Sequence, residues 1–259
     1  MSSDLLDKLL RSKKYRNVCP DTVRRVWADC EQRHSKARDV EKATREALHG
    51  ITGAFMTPRE ALQLGYDMHA WHCDRSDLNL ERMLSRHAST RERLPLSQMD
   101  ALYGCIFEHA GRPRSVLDLA CGINPIYIAA RGIETTGVDI SGNAVEAVNR
   151  FGEVYGMPAS ALCADLLCPG SVPSKRFDMA LLLKLLPLLE RQSTGAALDV
   201  MGAVNAKWLI VSFPTRTLGG RSVGMTAHYS AWMDGHIPPG RRVACRFETE
   251  NELFYILQN

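Results

Sequence analysis

Up to Ala110 the apolar side chains recur at three- and four-residue spacing; beyond Gly111, short apolar runs alternate with helical stretches. Leu5, Leu6, Leu9 and Leu10 share one face of a short basic helix. Val23, Val26 and Trp27 form the stripe of a second helix that opens near Pro20. A third is predicted over residues 39–48, stopping at Gly50. Thr57-Pro58-Arg59-Glu60 spells a capping box with proline at the first helical position, and Ser89-Thr90-Arg91-Glu92 repeats the capping pattern. A last helix over residues 98–109 runs into Gly111-Arg112-Pro113, a predicted boundary. The expected organisation is an all-helical domain, residues 1–110, ahead of an α/β domain, residues 111–259.

In that second part, strands are predicted at Ser115–Leu119, at 135–140, ending within 161–166, at Phe177–Leu183 and at 208–213. Helices begin at Pro125, after Ser141 and near Ser193. After Asp178 the strand Phe177–Leu183 is apolar without a break, as a strand covered on both faces should be. Two strands, 242–247 and 253–257, joined by Glu248-Thr249-Glu250-Asn251-Glu252, predict a closing hairpin. Between residues 214 and 225 lies a Gly- and Arg-rich loop carrying Arg216 and Arg221, followed by a short helix through Tyr229 and Trp232.

Candidate chemistry centres on Asp118-Leu119-Ala120-Cys121-Gly122-Ile123-Asn124-Pro125, where a strand hands over to a helix through a small-residue turn. Gly122 lets backbone approach a ligand. Neither GxGxxG nor GxxxxGK[ST] is present, so the turn does not read as a phosphate cradle. An acid within the strand, followed by small residues and glycine, suits a cofactor with an amino-acid-like or ribose head, and S-adenosylmethionine (SAM) fits. Asp139, ending the second strand, is placed to accept from a ribose diol. Asp165, ending the third, is placed to accept from an adenine amino group. Lys184 falls at the carboxyl edge of the fourth strand, beside the cleft.

Composition narrows this picture only slightly. Charged residues make up 24% and apolar residues 45%, an ordinary balance for a soluble chain. No apolar run is long enough for a transmembrane helix and no signal peptide is evident, so a cytoplasmic location is expected. Net charge is only +3, but residues 11–45 hold 11 Lys/Arg against 5 Asp/Glu, which suits an anionic partner. Within it Lys13, Lys14, Arg16, Arg24 and Arg25 are the candidate contacts to such a partner. Eight scattered cysteines without a CxxC point to free thiols, with Cys121, Cys163 and Cys245 expected to be buried. His69, His72 and Cys73 share a helix face but read as ordinary surface side chains, and no metal is expected.

The whole chain resembles the aminoglycoside-resistance 16S rRNA (guanine-1405-N7) methyltransferases, in particular the acquired branch of Gram-negative pathogens. The resemblance rests on Ser12-Lys13-Lys14-Tyr15-Arg16, Leu48-His49-Gly50, His87-Ala88-Ser89-Thr90-Arg91-Glu92-Arg93, and Asp118 to Pro125. Leu183-Lys184-Leu185-Leu186-Pro187, Ser212 to Arg216, and Leu218-Gly219-Gly220-Arg221 extend it. It implies a class I SAM-dependent methyltransferase fold, Rossmann-like with a seven-stranded sheet, and SAM as cofactor. By that resemblance Arg93 pairs with the methionine carboxylate, and Asp118 and Gly122 line the cofactor. Asp139 holds the ribose, and Asp165 with Leu166 flanks the adenine. The helical domain docks on the decoding region of 16S rRNA in the assembled 30S subunit, with no required protein partner. Lys184, Arg216 and Arg221 position the target base, and no acid–base pair is implied. Residue chemistry by itself leaves two alternatives, a small-molecule methyltransferase and a non-catalytic RNA-binding protein of the same fold.

Overall fold

The protein, seen as a computed structural model, is described over residues 2–52, 55–215 and 224–259. Helices α1 (Ser2–Arg11), α2 (Pro20–Glu31) and α3 (Ala37–Thr52) meet around Leu9, Tyr15, Val23, Val26, Trp27 and Leu48, a small core of their own. The expected stop at Gly50 does not occur. Helix α3 runs on two residues because Ile51 packs against this cluster, and burying it outweighs a single helical glycine.

Helix α4 (Pro58–Cys73) has the capping box expected of it. The Thr57 hydroxyl accepts the Glu60 N–H at 3.2 Å, and the Glu60 carboxylate accepts the Thr57 N–H at 2.7 Å. Helices α5 (Asp77–Leu84), α6 (Ala88–Arg91) and α7 (Leu96–Ala110) follow. The cap expected at Ser89 is displaced: His87 is the N-cap of the single-turn α6, and its Nδ1 accepts the Ser89 N–H. Ser89 lies inside the turn, too late to cap it. The apolar faces of α4, α5 and α7 do not join the α1–α3 cluster. Leu64, Met68, Trp71, Leu84, Met99 and Ile106 enter the core on one face of the sheet.

That sheet comprises β1 (Ser115–Leu119), β2 (Glu134–Asp139), β3 (Ala159–Cys163), β4 (Phe177–Leu183), β5 (Ala206–Pro214), β6 (Arg242–Glu248) and β7 (Glu252–Gln258). Its order is β3-β2-β1-β4-β5-β7-β6, with β1 to β5 parallel and β7 inserted antiparallel between β5 and β6. Helices α8 (Asn124–Ala130) and α9 (Gly142–Tyr155) cover the same face as α4, α5 and α7. Helices α10 (Leu186–Gln192), α11 (Ala196–Ala203) and α12 (Met225–Asp234) cover the other. In β4, Met179 to Leu182 are buried accordingly, with Asp178 and Leu183 half-buried at either side.

Two cysteine expectations fail for one reason. Cys121 is buried, but Cys163 is exposed and Cys245 only half-buried, because β3 and β6 are the two edge strands and lack cover. Strand order reverses between β1 and β4, so a crevice opens at their carboxyl ends.

Candidate cofactor and catalytic site

The turn after β1 is held in an unusual backbone conformation. Ala120 and Gly122 both have positive φ, 56° and 51°, and so does Lys184 (56°) at the end of neighbouring β4. Non-glycine residues pay roughly 1–2 kcal/mol for that region, so two of them on adjacent strand ends mark a strained edge. The strain at Lys184 is offset by its N–H, which donates to both the side-chain and backbone oxygens of Ser212 at 3.0 Å. Gly122 is required by space as well as angle: a Cβ there would stand 2.5 Å from Cε1 of the His87 ring. His87 rests on this turn with Phe55 stacked against it, ring centroids 5.8 Å apart. Burial, with Arg91 nearby, pushes the His87 imidazole down to about 4, so it is neutral near pH 7.

Two acids frame the turn. Asp139 Oδ2 accepts the Gly122 N–H at 2.8 Å and Oδ1 accepts the Ser141 N–H at 2.7 Å. Burial raises the Asp139 carboxyl, and the same two N–H groups oppose the rise. Each oxygen keeps a second lone pair, so a ribose diol can still be accepted. Asp118 is deeper. Its Oδ2 accepts from Asn124 Nδ2 at 2.7 Å, and Asn124 is bonded in turn to the Tyr103 hydroxyl. Burial pushes Asp118 up to about 7, against the Asn124 hydrogen bond and the Arg93 charge.

The opposite wall is a buried ionic network that local sequence does not announce. Arg93 donates from Nε and Nη2 to the two oxygens of Glu252 at 2.8 and 3.1 Å, and from Nη1 to the Ser89 carbonyl. Glu252 Oε2 also accepts the Ser212 hydroxyl at 2.6 Å, and Lys184 Nζ lies 3.5 Å from Oε1. The Lys184 ammonium makes its shorter contact, 2.8 Å, with Glu92. Burial raises the Glu252 carboxyl, but Arg93 and Lys184 outweigh it and hold the group below the usual carboxylate range. For Arg93, burial is likewise outweighed by Glu252, and its pKa is raised.

Glu252 was expected in the hairpin connection. It is instead the first residue of β7, 2% exposed, and meets a partner 159 positions away. His87 was expected only as part of a motif, not as the cover on Gly122. Neither contact is signalled by the residues flanking Gly122 or Glu252 in the chain.

Arg93, Asp118, Gly122, Asp139 and Lys184 thus converge on the crevice. Asp165 lies beyond the end of β3, buried, its Oδ1 accepting the Leu167 N–H at 2.9 Å, with Leu166 half-buried beside it. Arg216 and Arg221 lie outside the described residues. Lys13, Lys14, Arg16 and Arg24 are exposed, whereas Arg25, expected among them, turns inward and pairs with Asp165 at 2.9 Å. Among the described residues no His/Cys/Asp/Glu group could hold a metal ion. A second cavity, about 370 Å³, opens at the carboxyl ends of β4 and β5 between Leu186, Arg191, Phe213, Tyr229 and Trp232. Tyr229 stacks on Phe213 with centroids 4.8 Å apart.

The sheet order with its antiparallel β7, and acids at the ends of β1, β2 and β3 around a glycine turn, define a class I SAM-dependent methyltransferase. The donor set fits that cofactor: a guanidinium for a carboxylate, a carboxylate for a diol, and a backbone that no side chain could replace at Gly122. The family model for ribosomal RNA methyltransferase (FmrO) matches residues 11–256, and the chain belongs to that family. A 16S rRNA (guanine(1405)-N(7))-methyltransferase of Serratia marcescens is 38% identical over 257 residues, 99% of this chain and 98% of the relative. One from Frankia casuarinae is 34% identical over 97% of this chain and 92% of its own length. Among solved structures, the 16S rRNA methyltransferase RmtF in complex with S-adenosyl-L-homocysteine superposes with a TM-score of 0.89 at 42% identity. That match covers 100% of this chain and 98% of RmtF. The 16S rRNA methylase RmtB gives 0.87 at 35% identity, with the same coverage.

Proposed function

We infer that this protein transfers the methyl group of SAM to N7 of guanine 1405 of 16S rRNA, and thereby confers aminoglycoside resistance. The observation that carries this is the full-length match to enzymes of that name, joined to a crevice whose donors fit the cofactor. Bound SAM supplies an electrophilic methyl on a sulfonium. Guanine N7 has a lone pair and no proton, so the chain needs no general base, and none is assigned. Its work is placement.

Arg93 holds the methionine carboxylate through the N–H groups that Glu252 and Ser89 leave free. Asp139 orients the ribose while its bonds to Gly122 and Ser141 fix the carboxylate plane. Asp118, through Asn124, braces the turn, and Asp165 with Leu166 borders the adenine. The guanine must leave its helix to reach the methyl, and the cavity with Tyr229 and Trp232 supports a stacked base at that edge. Lys184, Arg216 and Arg221 are the positioning candidates for it. The exposed cations Lys13, Lys14, Arg16 and Arg24 support docking of the helical part, residues 1–110, on the 30S subunit. No described helix is long and apolar enough to cross a membrane.

Methyl transfer from labelled SAM to purified 30S subunits and to free 16S rRNA tests this, with the base mapped by reduction and aniline cleavage. Strand scission at guanine 1405 in 30S is expected. Label at another nucleotide overturns the target; no label on either substrate overturns the reaction.

A further inference from the structure

Arg24 and Arg25 are adjacent in sequence and opposite in fate. The Arg24 side chain is 57% exposed and pairs with Asp21 of its own helix. Arg25 is only 18% exposed and reaches across the molecule. Its Nε and Nη2 both lie 2.9 Å from Oδ2 of Asp165, Nη2 also donates to Gln192 Oε1 at 2.9 Å, and Nη1 is 3.7 Å from Asp29. Asp165 is almost fully buried, and with Arg25 on Oδ2 and the Leu167 N–H on Oδ1 its carboxylate plane is pinned from both ends.

The helix that carries Arg25 is itself fastened to the cofactor side. The Cys19 N–H donates to the Ile140 carbonyl at 2.7 Å, and the Gly142 N–H donates to the Asn17 carbonyl at 2.7 Å. Asn17 Nδ2 reaches Asn143 Oδ1 at 2.6 Å, and Val18 bridges Ser141. These contacts lock the start of α2 onto the turn that follows Asp139. Arg25, less than two turns further along, then meets the loop after β3. The amino-terminal helices are therefore built into the adenosine end of the crevice.

We propose that Arg25 is a positioning residue of the cofactor pocket, not an RNA contact: its guanidinium orients Asp165 for the adenine amino group. This rests on the reading of Asp165 as the adenine acceptor. A charged, forked donor suits the task because two N–H groups on one oxygen fix direction as well as distance. Removing it would leave a buried carboxylate with one backbone partner and freedom to turn away.

The experiment compares binding of S-adenosyl-L-homocysteine and S-inosyl-L-homocysteine by calorimetry, alongside 30S affinity, for Arg25→Ala, Arg25→Lys, Asp165→Asn and Arg24→Glu. The inosyl ligand replaces the 6-amino donor by a carbonyl oxygen. Arg25→Ala should lose about tenfold for the adenosyl ligand and little for the inosyl one, collapsing the preference, with 30S affinity kept. Arg25→Lys should restore part of the preference, and Arg24→Glu should weaken 30S binding alone. Equal loss of both ligands in Arg25→Ala would assign Arg25 to general stability and overturn the proposal. So would unchanged cofactor binding with lost 30S affinity. If Asp165→Asn keeps the adenosyl preference, the reading of Asp165 falls, and this proposal with it. If Asp165→Asn loses the preference while Arg25→Ala keeps it, only the role of Arg25 falls.

Discussion

Glu252→Gln tests the centre of the site. In the native protein this carboxylate is 2% exposed, with Arg93 at 2.8 and 3.1 Å, Lys184 at 3.5 Å and the Ser212 hydroxyl at 2.6 Å. Glutamine keeps the shape and one acceptor but removes the charge, leaving the Arg93 guanidinium, 7% exposed, without its counter-ion. Breaking a buried pair from one side costs about 3–5 kcal/mol, and the surviving acceptor argues for about 3. At roughly 2–4 °C per kcal/mol for a chain of this size, Tm should fall by about 6–12 °C.

The acid limb adds a second reading. The Glu252 carboxyl is held below its ordinary value when folded, so its contribution is present above the unfolded pKa and lost as pH falls through the folded one. Wild type should therefore lose stability below about pH 4 more steeply than Glu252→Gln. Thermal and denaturant unfolding between pH 3 and pH 8 measures both effects. A Tm within about 2 °C of wild type at neutral pH would refute the reasoning. A double variant, Arg93→Met with Glu252→Leu, separates stability from use. Apolar replacement of a whole buried pair is often neutral or better, so most of the Tm should return while cofactor affinity does not.

Two further outcomes follow from the turn. Asp118 is raised to about 7 in the folded state, so its protonated form is favoured there, and stability should drop as pH climbs between the unfolded and folded values. Asp118→Asn should flatten that fall, roughly 3 kcal/mol between pH 5 and pH 8, in denaturant melts at those two values; an unchanged slope counts against the assignment. Gly122→Ala must place a Cβ 2.5 Å from the His87 ring at a φ of 51°. A backbone cost of about 1–2 kcal/mol should accompany a loss of S-adenosyl-L-homocysteine affinity in calorimetry. Wild-type affinity in that variant would show that the turn does not touch the cofactor.

Much of the architecture is a local matter, and the chain carries it openly. Phe177–Leu183 reads as a doubly covered strand, Thr57 to Glu60 as a helix start, and Asp118 to Pro125 as a strand-to-helix turn, and the fold has each of them. Periodicity and capping act over a few residues, so the sequence by itself determined the element order and the acids at the strand ends. Pairing across the molecule is different in kind. Glu252 looks like one more acid in a polar hairpin turn until β7 slides between β5 and β6 and presses it on Arg93. Cys163 and Cys245 look buried until the sheet order makes β3 and β6 its edges. Arg24 and Arg25 carry the same charge on the same helix. Only the docking of α2 against the loops after β2 and β3 decides that one faces solvent and the other the buried Asp165. Local propensity sets what each segment becomes, but the partner of a buried charge depends on which surfaces the core brings together.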